Sequence, residues 1–168
     1  GAPHAEDGKV MNSVFVIDEG RIMARRDKVG LPTYSVFDDG RNFTPGPMPG
    51  PALVRGWRIG LPICEDIWTA DVTECLAESG AELIISINGS PFEIGKRDRR
   101  ISNAVARVTE TGLPLVYVAL VGGQDEVVYD GASFALNSDG SLVAHLPSFS
   151  EAVTTIQLAE SFGTLSLT

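Results

Sequence analysis

The sequence predicts an α/β sandwich, and three observations carry that reading. Short apolar runs alternate with amphipathic segments through the middle of the chain, the pattern of parallel strands joined by helices. Each of three such runs ends in a polar tip: Cys64-Glu65-Asp66, Asn88-Gly89-Ser90 and Gly122-Gly123-Gln124-Asp125-Glu126. After Val127 the pattern changes to the short strands and tight turns of antiparallel hairpins. In such a fold the carboxyl ends of neighbouring parallel strands share one edge, and a site is expected there. With 168 residues, 43% of them hydrophobic, the chain is long enough to bury one core.

Taken in order, the first residues read as a polar loop with His4 in a frayed end. Residues 12–18 read as a strand, Glu19-Gly20 as a tight turn and 21–25 as its hairpin partner. Residues 29–43 combine aromatics, a proline and glycines with neither periodicity, so they are expected to form an ordered loop of the kind that carries function. Pro45, Pro47, Pro49 and Pro51 with Gly46 and Gly50 read as a surface turn. The hairpin and loop before them are too small to bury a core alone, which argues against an interdomain linker. Residues 57–63 form a strand, and 69–79 a helix with Val72, Cys75 and Leu76 at helical spacing. A second strand at 82–88 leads to a helix at 97–111 whose apolar face holds Ile101, Val105 and Val108. Gly112 is its C-cap, with Pro114 beyond. A third buried strand follows at 115–121, then the polar turn from Gly122. The remaining strands are 127–129, 132–137, 141–146 and 152–158, with Ser138-Asp139-Gly140 as a turn.

The formal charge of −9 argues against a nucleic-acid or anionic-membrane surface, and the basic cluster from Lys96 to Arg100 is too short to offset it. No apolar run approaches the roughly 20 residues of a membrane span. The N-terminus lacks the order of a signal peptide, so a cytoplasmic setting is expected. Cys64 and Cys75 make neither a disulfide framework nor a metal-type spacing with His4 or His145, and no metal is expected. The chain starts without Met in a loop-like segment, the expectation being a piece of a longer domain.

Cys64 is the candidate nucleophile, because a strand-to-helix turn exposes a side chain and aims free N–H groups at it, favouring thiolate over thiol. A single cysteine at a strand end is also a common buried apolar residue. Lys28 is the candidate cation for an oxyanion, although most lone lysines are solvated. Glu65 and Asp66 are expected to turn outward or cap the following helix, since a side chain adjacent to Cys64 points away from it. Ser90 has no evident base, and neither histidine completes a Ser-His-Asp arrangement. Gly122-Gly123 comes without a Walker lysine or a Gly-x-Gly-x-x-Gly run, so ATP is not expected to bind these residues.

Together, Lys28-x-x-Leu31-Pro32-x-Tyr34-x-x-Phe37-Asp38, Ile63-Cys64-Glu65-Asp66-Ile67-Trp68, Asn88-Gly89-Ser90-Pro91-Phe92 and Val121-Gly122-Gly123-Gln124-Asp125 resemble the nitrilase, or carbon-nitrogen hydrolase, superfamily. More narrowly they resemble the glutaminase domains of glutamine-dependent NAD synthetases, over nearly the whole chain. The resemblance implies that residues 1–168 are part of a nitrilase-like αββα sandwich, with its N-terminal part and the synthetase domain outside the chain. It implies a Cys-Glu-Lys catalytic set in which Cys64 attacks the side-chain amide of glutamine and Lys28 stabilises the oxyanion. Tyr34, Phe37 and Ser90 would line the glutamine pocket, and Glu65 would help through its backbone. The family's glutamate base belongs to a segment upstream of Lys28, so no residue here takes that role. No cofactor is implied for this domain, ATP and Mg belonging to the synthetase domain. The implied partners are glutamine, that synthetase domain or subunit, and further copies of the chain in a homo-oligomer that associates through its helices.

Two departures stand out. Asp39 replaces the glutamate that usually follows the Phe-Asp pair, so any contact with Lys28 is expected to be longer or water-mediated. Ala119-Leu120 replaces a polar Asn-Gln pair and removes hydrogen-bonding capacity near the site. Two alternatives stand beside the glutaminase reading: a stand-alone amidase or nitrilase acting on another small amide or nitrile, and a non-catalytic truncated relative.

Overall fold

The structure, a computed structural model, describes residues 1–159 and 164–167. The chain begins with an antiparallel sheet of β1 (Ala2–Glu6), β2 (Lys9–Asp18) and β3 (Arg21–Asp27), with β2 in the centre. This corrects the expectation of a frayed N-terminus. Ala2 to Glu6 lie opposite Ser13 to Lys9, and His4 sits edge-on to Phe15 at 5.9 Å. The polar composition hid a strand that has no apolar alternation and is tied by backbone pairing with β2, the His4–Phe15 contact and the Glu6–Arg25 ion pair at 2.7 Å.

The following loop contains one helical turn, α1 (Asp39–Asn42), and leads to β4 (Ala52–Val54) and β5 (Trp57–Gly60). A 3-10 turn at Cys64–Ile67 and helix α2 (Asp71–Glu78) precede β6 (Leu83–Asn88). Helix α3 (Lys96–Thr111) then leads to β7 (Leu115–Ala119), ending at Gly112 with φ 68° and its N–H on the Val108 carbonyl. That is the C-cap the sequence predicts, and glycine is favoured because the left-handed backbone carries no Cβ penalty. The third strand stops short of its predicted end. Val121–Gln124 forms β8 and pairs with β9 (Val127–Asp130), so Gly122-Gly123 is part of a hairpin strand and not a turn. The chain continues through β10 (Phe134–Leu136) and β11 (Leu142–His145) to the pair β12 (Ile156–Leu158) and β13 (Leu165–Leu167). The strand expected over 152–158 is thus confined to its last residues.

The main sheet has the order β11-β10-β7-β6-β5-β4, with β5, β6 and β7 parallel and the flanking strands antiparallel. Alternation along β6 assigns its two faces. Ile84 packs with Val108, Ala104 and Leu115 on the helical side. Ile85 and Ile87 pack on the opposite side, Ile87 and Ile63 belonging with Val14 and Val16 to a layer between the sheets. The described residues therefore form helix, sheet and sheet layers of a nitrilase-type sandwich. Both cysteines are free, Cys64 buried and Cys75 half-buried on α2.

Candidate active site

The apolar run through Leu61 and Ile63 brings the chain to Cys64, which adopts φ 49°. A left-handed backbone at a residue with a Cβ is strained and persists only where its surroundings hold it. The holding group is Asp66, 3% exposed. Its Oδ2 accepts the Ile63 N–H at 2.9 Å, and its Oδ1 accepts the N–H groups of Val29 at 3.0 Å and Gly30 at 2.7 Å. One buried carboxylate thereby ties the cysteine turn to the loop after Lys28. Gly30 permits the approach, since a Cβ there would stand 3.3 Å from Asp66 Oδ1. Asp66 does not turn outward or cap α2 as the sequence predicts; it folds inward because three unsatisfied backbone donors converge on it.

Lys28 is 4% exposed, and its Nζ lies 2.5 Å from Asp39 Oδ2. The contact is direct, although aspartate is shorter than glutamate, because the Asp39 N–H bonds to the Pro32 carbonyl and brings the start of α1 close. A cavity of about 540 Å³ is bordered by Lys28, Asp39, Cys64, Asn88 and Gly89. Ala119 and Leu120 border it too, where β7 ends. The carboxyl ends of β5, β6 and β7 thus meet at one edge, and β3 supplies Lys28 from the other sheet.

A smaller cavity of about 110 Å³ lies on the other side of Cys64 and gathers Tyr34, Phe37, Glu65 and Ser90. The Tyr34 hydroxyl donates to Glu65 Oε1 at 2.8 Å, and partial burial with that bond pushes its pKa up to about 12. Tyr34 and Phe37 meet edge to face at 5.7 Å. Ser90 is 5% exposed. Every residue expected at the site therefore borders one cavity or the other, with Cys64 and Phe37 common to both.

The thiol's environment differs from the expectation of a turn that simply favours thiolate. Burial pushes the Cys64 thiol up, and the Lys28 charge and the Gly89 N–H oppose it only in part, while Glu65 and Asp39 push in the same direction as burial. Sequence reasoning missed Asp66 as an organiser, and it missed Lys96, Arg99 and Glu93, which also border the small cavity. Lys96 stands 5.8 Å over the Phe37 ring and 3.7 Å from Glu93, and Arg99 lies 3.0 Å from Glu93. The available signal was the basic cluster at the start of α3, visible in sequence only as charge. Among the described residues no group of three or more His, Cys, Asp or Glu is placed to hold a metal ion, and no helix is long and apolar enough to cross a membrane.

The helix, sheet and sheet layers, with a buried cysteine at the carboxyl edge of the parallel strands and a buried lysine across the same cavity, are those of a nitrilase-fold protein, as likeness to solved structures of that fold shows. The chain belongs to the carbon-nitrogen hydrolase family, which it matches over residues 1–163. It is similar to the glutamine-dependent NAD(+) synthetase of Rhodobacter capsulatus, with 46% identity over 158 residues, 94% of this chain and 29% of that protein. The enzyme of the same description from Aquifex aeolicus is 40% identical over 94% of this chain and 28% of its own length. The solved glutamine-dependent NAD+ synthetase from Acinetobacter baumannii, in complex with ADP, superposes with a TM-score of 0.91 at 32% identity, over 98% of this chain and 31% of that one. A carbon-nitrogen hydrolase from Helicobacter pylori G27 shares the fold, with a TM-score of 0.79 at 23% identity over 88% of this chain and 57% of that one. The chain thus spans less than a third of the length of the synthetases it matches.

Proposed function

We propose that this chain is the glutaminase part of a glutamine-dependent NAD synthetase and acts on glutamine through Cys64. The observation that carries the reading is the small cavity beside the thiol, which combines Lys96 and Arg99 with Glu65 and Glu93 around Tyr34 and Ser90. Cations and carboxylates in about 110 Å³ suit the zwitterionic end of an amino acid better than a simple amide or nitrile.

With that end bound there, the side-chain amide reaches Cys64. The sulfur attacks the amide carbon, a C–S bond forms, and the Lys28 ammonium stabilises the oxygen that gains charge. The C–N bond then breaks, ammonia leaves with the thiol proton, and water hydrolyses the thioester to glutamate and free thiol. Asp39 holds Lys28 directed at the cavity. In the full-length enzyme the ammonia would serve NAD synthesis from deamido-NAD and ATP, ligase chemistry on a separate domain or subunit that also holds ATP and Mg. A cytoplasmic homo-oligomer is the assembly proposed for it.

No glutamate borders the larger cavity among the described residues, and general-base assistance contributes about 10² to 10⁴-fold. Ammonia release from glutamine by the purified 168-residue chain is therefore expected to be slow, and Cys64→Ala to abolish it. Release that survives Cys64→Ala would sink the nucleophile assignment, and faster turnover of a non-amino-acid amide would favour the amidase alternative.

A further inference from the structure

The buried ion pair between Arg100 and Asp130 takes no part in the chemistry above. Arg100 is 3% exposed on α3, and the Asp130 side chain 5% exposed at the end of β9. Arg100 Nη1 donates to Asp130 Oδ1 at 2.8 Å. Its Nη2 donates to the carbonyls of Ser90 at 2.8 Å and Pro91 at 3.0 Å. A single guanidinium therefore joins three separate pieces of chain: the helix, the loop that brings Ser90 and Glu93 to the small cavity, and the hairpin after β7. The Phe92 N–H on the Val128 carbonyl, at 2.7 Å, fastens that loop to β9 a second time.

These contacts concern the ligand side of Cys64 and not the nucleophile itself. The Cys64 turn hangs on Asp66, whose backbone partners are Ile63, Val29 and Gly30, and none of these is bonded to Arg100. A planar guanidinium satisfies a carboxylate and two carbonyls at once, whereas a lysine ammonium in the same place cannot span the same fork. Charge alone is therefore not what the position requires.

We propose that the Arg100–Asp130 pair positions the Ser90 loop for substrate binding, so that its loss weakens ligand capture while leaving the reactivity of Cys64 intact. The ligand named here rests on the glutaminase reading; the positioning role does not. Arg100→Lys and Asp130→Asn, both checked for cooperative thermal unfolding, are compared with the parent chain. The first readout is iodoacetamide alkylation of Cys64 with and without glutamine. Arg100→Lys is expected to leave the unprotected rate within about twofold and to raise the half-protecting glutamine concentration by about tenfold or more, because small misplacements of binding groups are costly. Asp130→Asn keeps an acceptor for Nη1 and is expected to give a smaller rise. The second readout is amide hydrogen exchange, expected to quicken over residues 90–94 and 127–130 in Arg100→Lys and to stay unchanged at Gly89, whose N–H faces the thiol, and in the Cys64 turn. Unchanged protection and unchanged exchange in a folded Arg100→Lys chain would overturn the proposal, as would a matching loss of alkylation rate. If glutamine fails to protect the parent chain, the glutaminase reading falls, and the exchange pattern alone decides the positioning role.

Discussion

Cys64 stands under opposed influences, burial and two carboxylates on one side and the Lys28 ammonium with the Gly89 N–H on the other. Because burial wins, the thiol is the resting form at neutral pH, and the nucleophilic thiolate becomes abundant only as pH rises past a value above that of ordinary cysteine, about 8.5. The iodoacetamide reaction of Cys64 is therefore expected to be slower at pH 7 than that of a cysteine peptide and to reach half its maximum at higher pH. Lys28→Met removes the favourable cation and leaves Asp39 unpaired at the cavity, so the midpoint should move further up. Each unit of that rise lowers the neutral-pH rate about tenfold. A midpoint at or below that of the peptide would contradict this balance. Lys28 also marks the limit of reading single residues from sequence. Its charge and its place after a strand were legible, but its burial was not, because the group that makes burial tolerable is Asp39, eleven positions on, at the end of a loop without periodicity.

Among the elements, the 3-10 turn Cys64–Ile67 has its shape imposed from outside. Asp66 accepts three N–H groups, two of them from the segment after Lys28. Asp66→Ala leaves those donors without their acceptor in a buried place, so a loss of about 3 kcal/mol is expected in urea unfolding, at about 1 to 3 kcal/mol per stranded polar group and with some relief from no longer burying a charge. Asp66→Asn, which keeps one carbonyl oxygen, should fall between. Equal stability of all three would show that the carboxylate is not what holds the turn. The strands and helices around it were legible because β5, β6, β7 and α3 carry apolar periodicity and α3 ends at a glycine. The β8 strand was not, since Gly122 and Gly123 have no side chains to alternate and its register rests on backbone pairing with Tyr129 and Val128. Three of the five residues expected around the small cavity, Tyr34, Phe37 and Ser90, lie in loops, and only their family resemblance, not any local pattern, assigned them to a pocket.

At the scale of the whole molecule, the site spans a joint. Cys64 and Ser90 follow strands of the main sheet, whereas Lys28 extends from β3 of the other sheet, so the cavity depends on how the two sheets pack. Val14, 6% exposed, belongs to the layer between them with Ile63 and Cys64. Val108, fully buried on α3, belongs to the layer between helix and sheet. Truncating either to alanine removes similar apolar volume and should cost about 2 kcal/mol, from roughly 0.8 kcal/mol per methylene-sized group and the cavity left behind. Melting temperature is expected to fall by about 4 to 8 °C in both variants, at 2 to 4 °C per kcal/mol for a chain of this size. Their effects on the thiol should differ. Val14→Ala loosens the packing that sets the lysine against the cysteine, so the pH midpoint for Cys64 alkylation is expected to rise, while Val108→Ala should leave it in place. Identical midpoints in two equally destabilised variants would mean that Lys28 is held by Asp39 and its own loop alone, and that the packing of the two sheets does not set the electrostatics of the site.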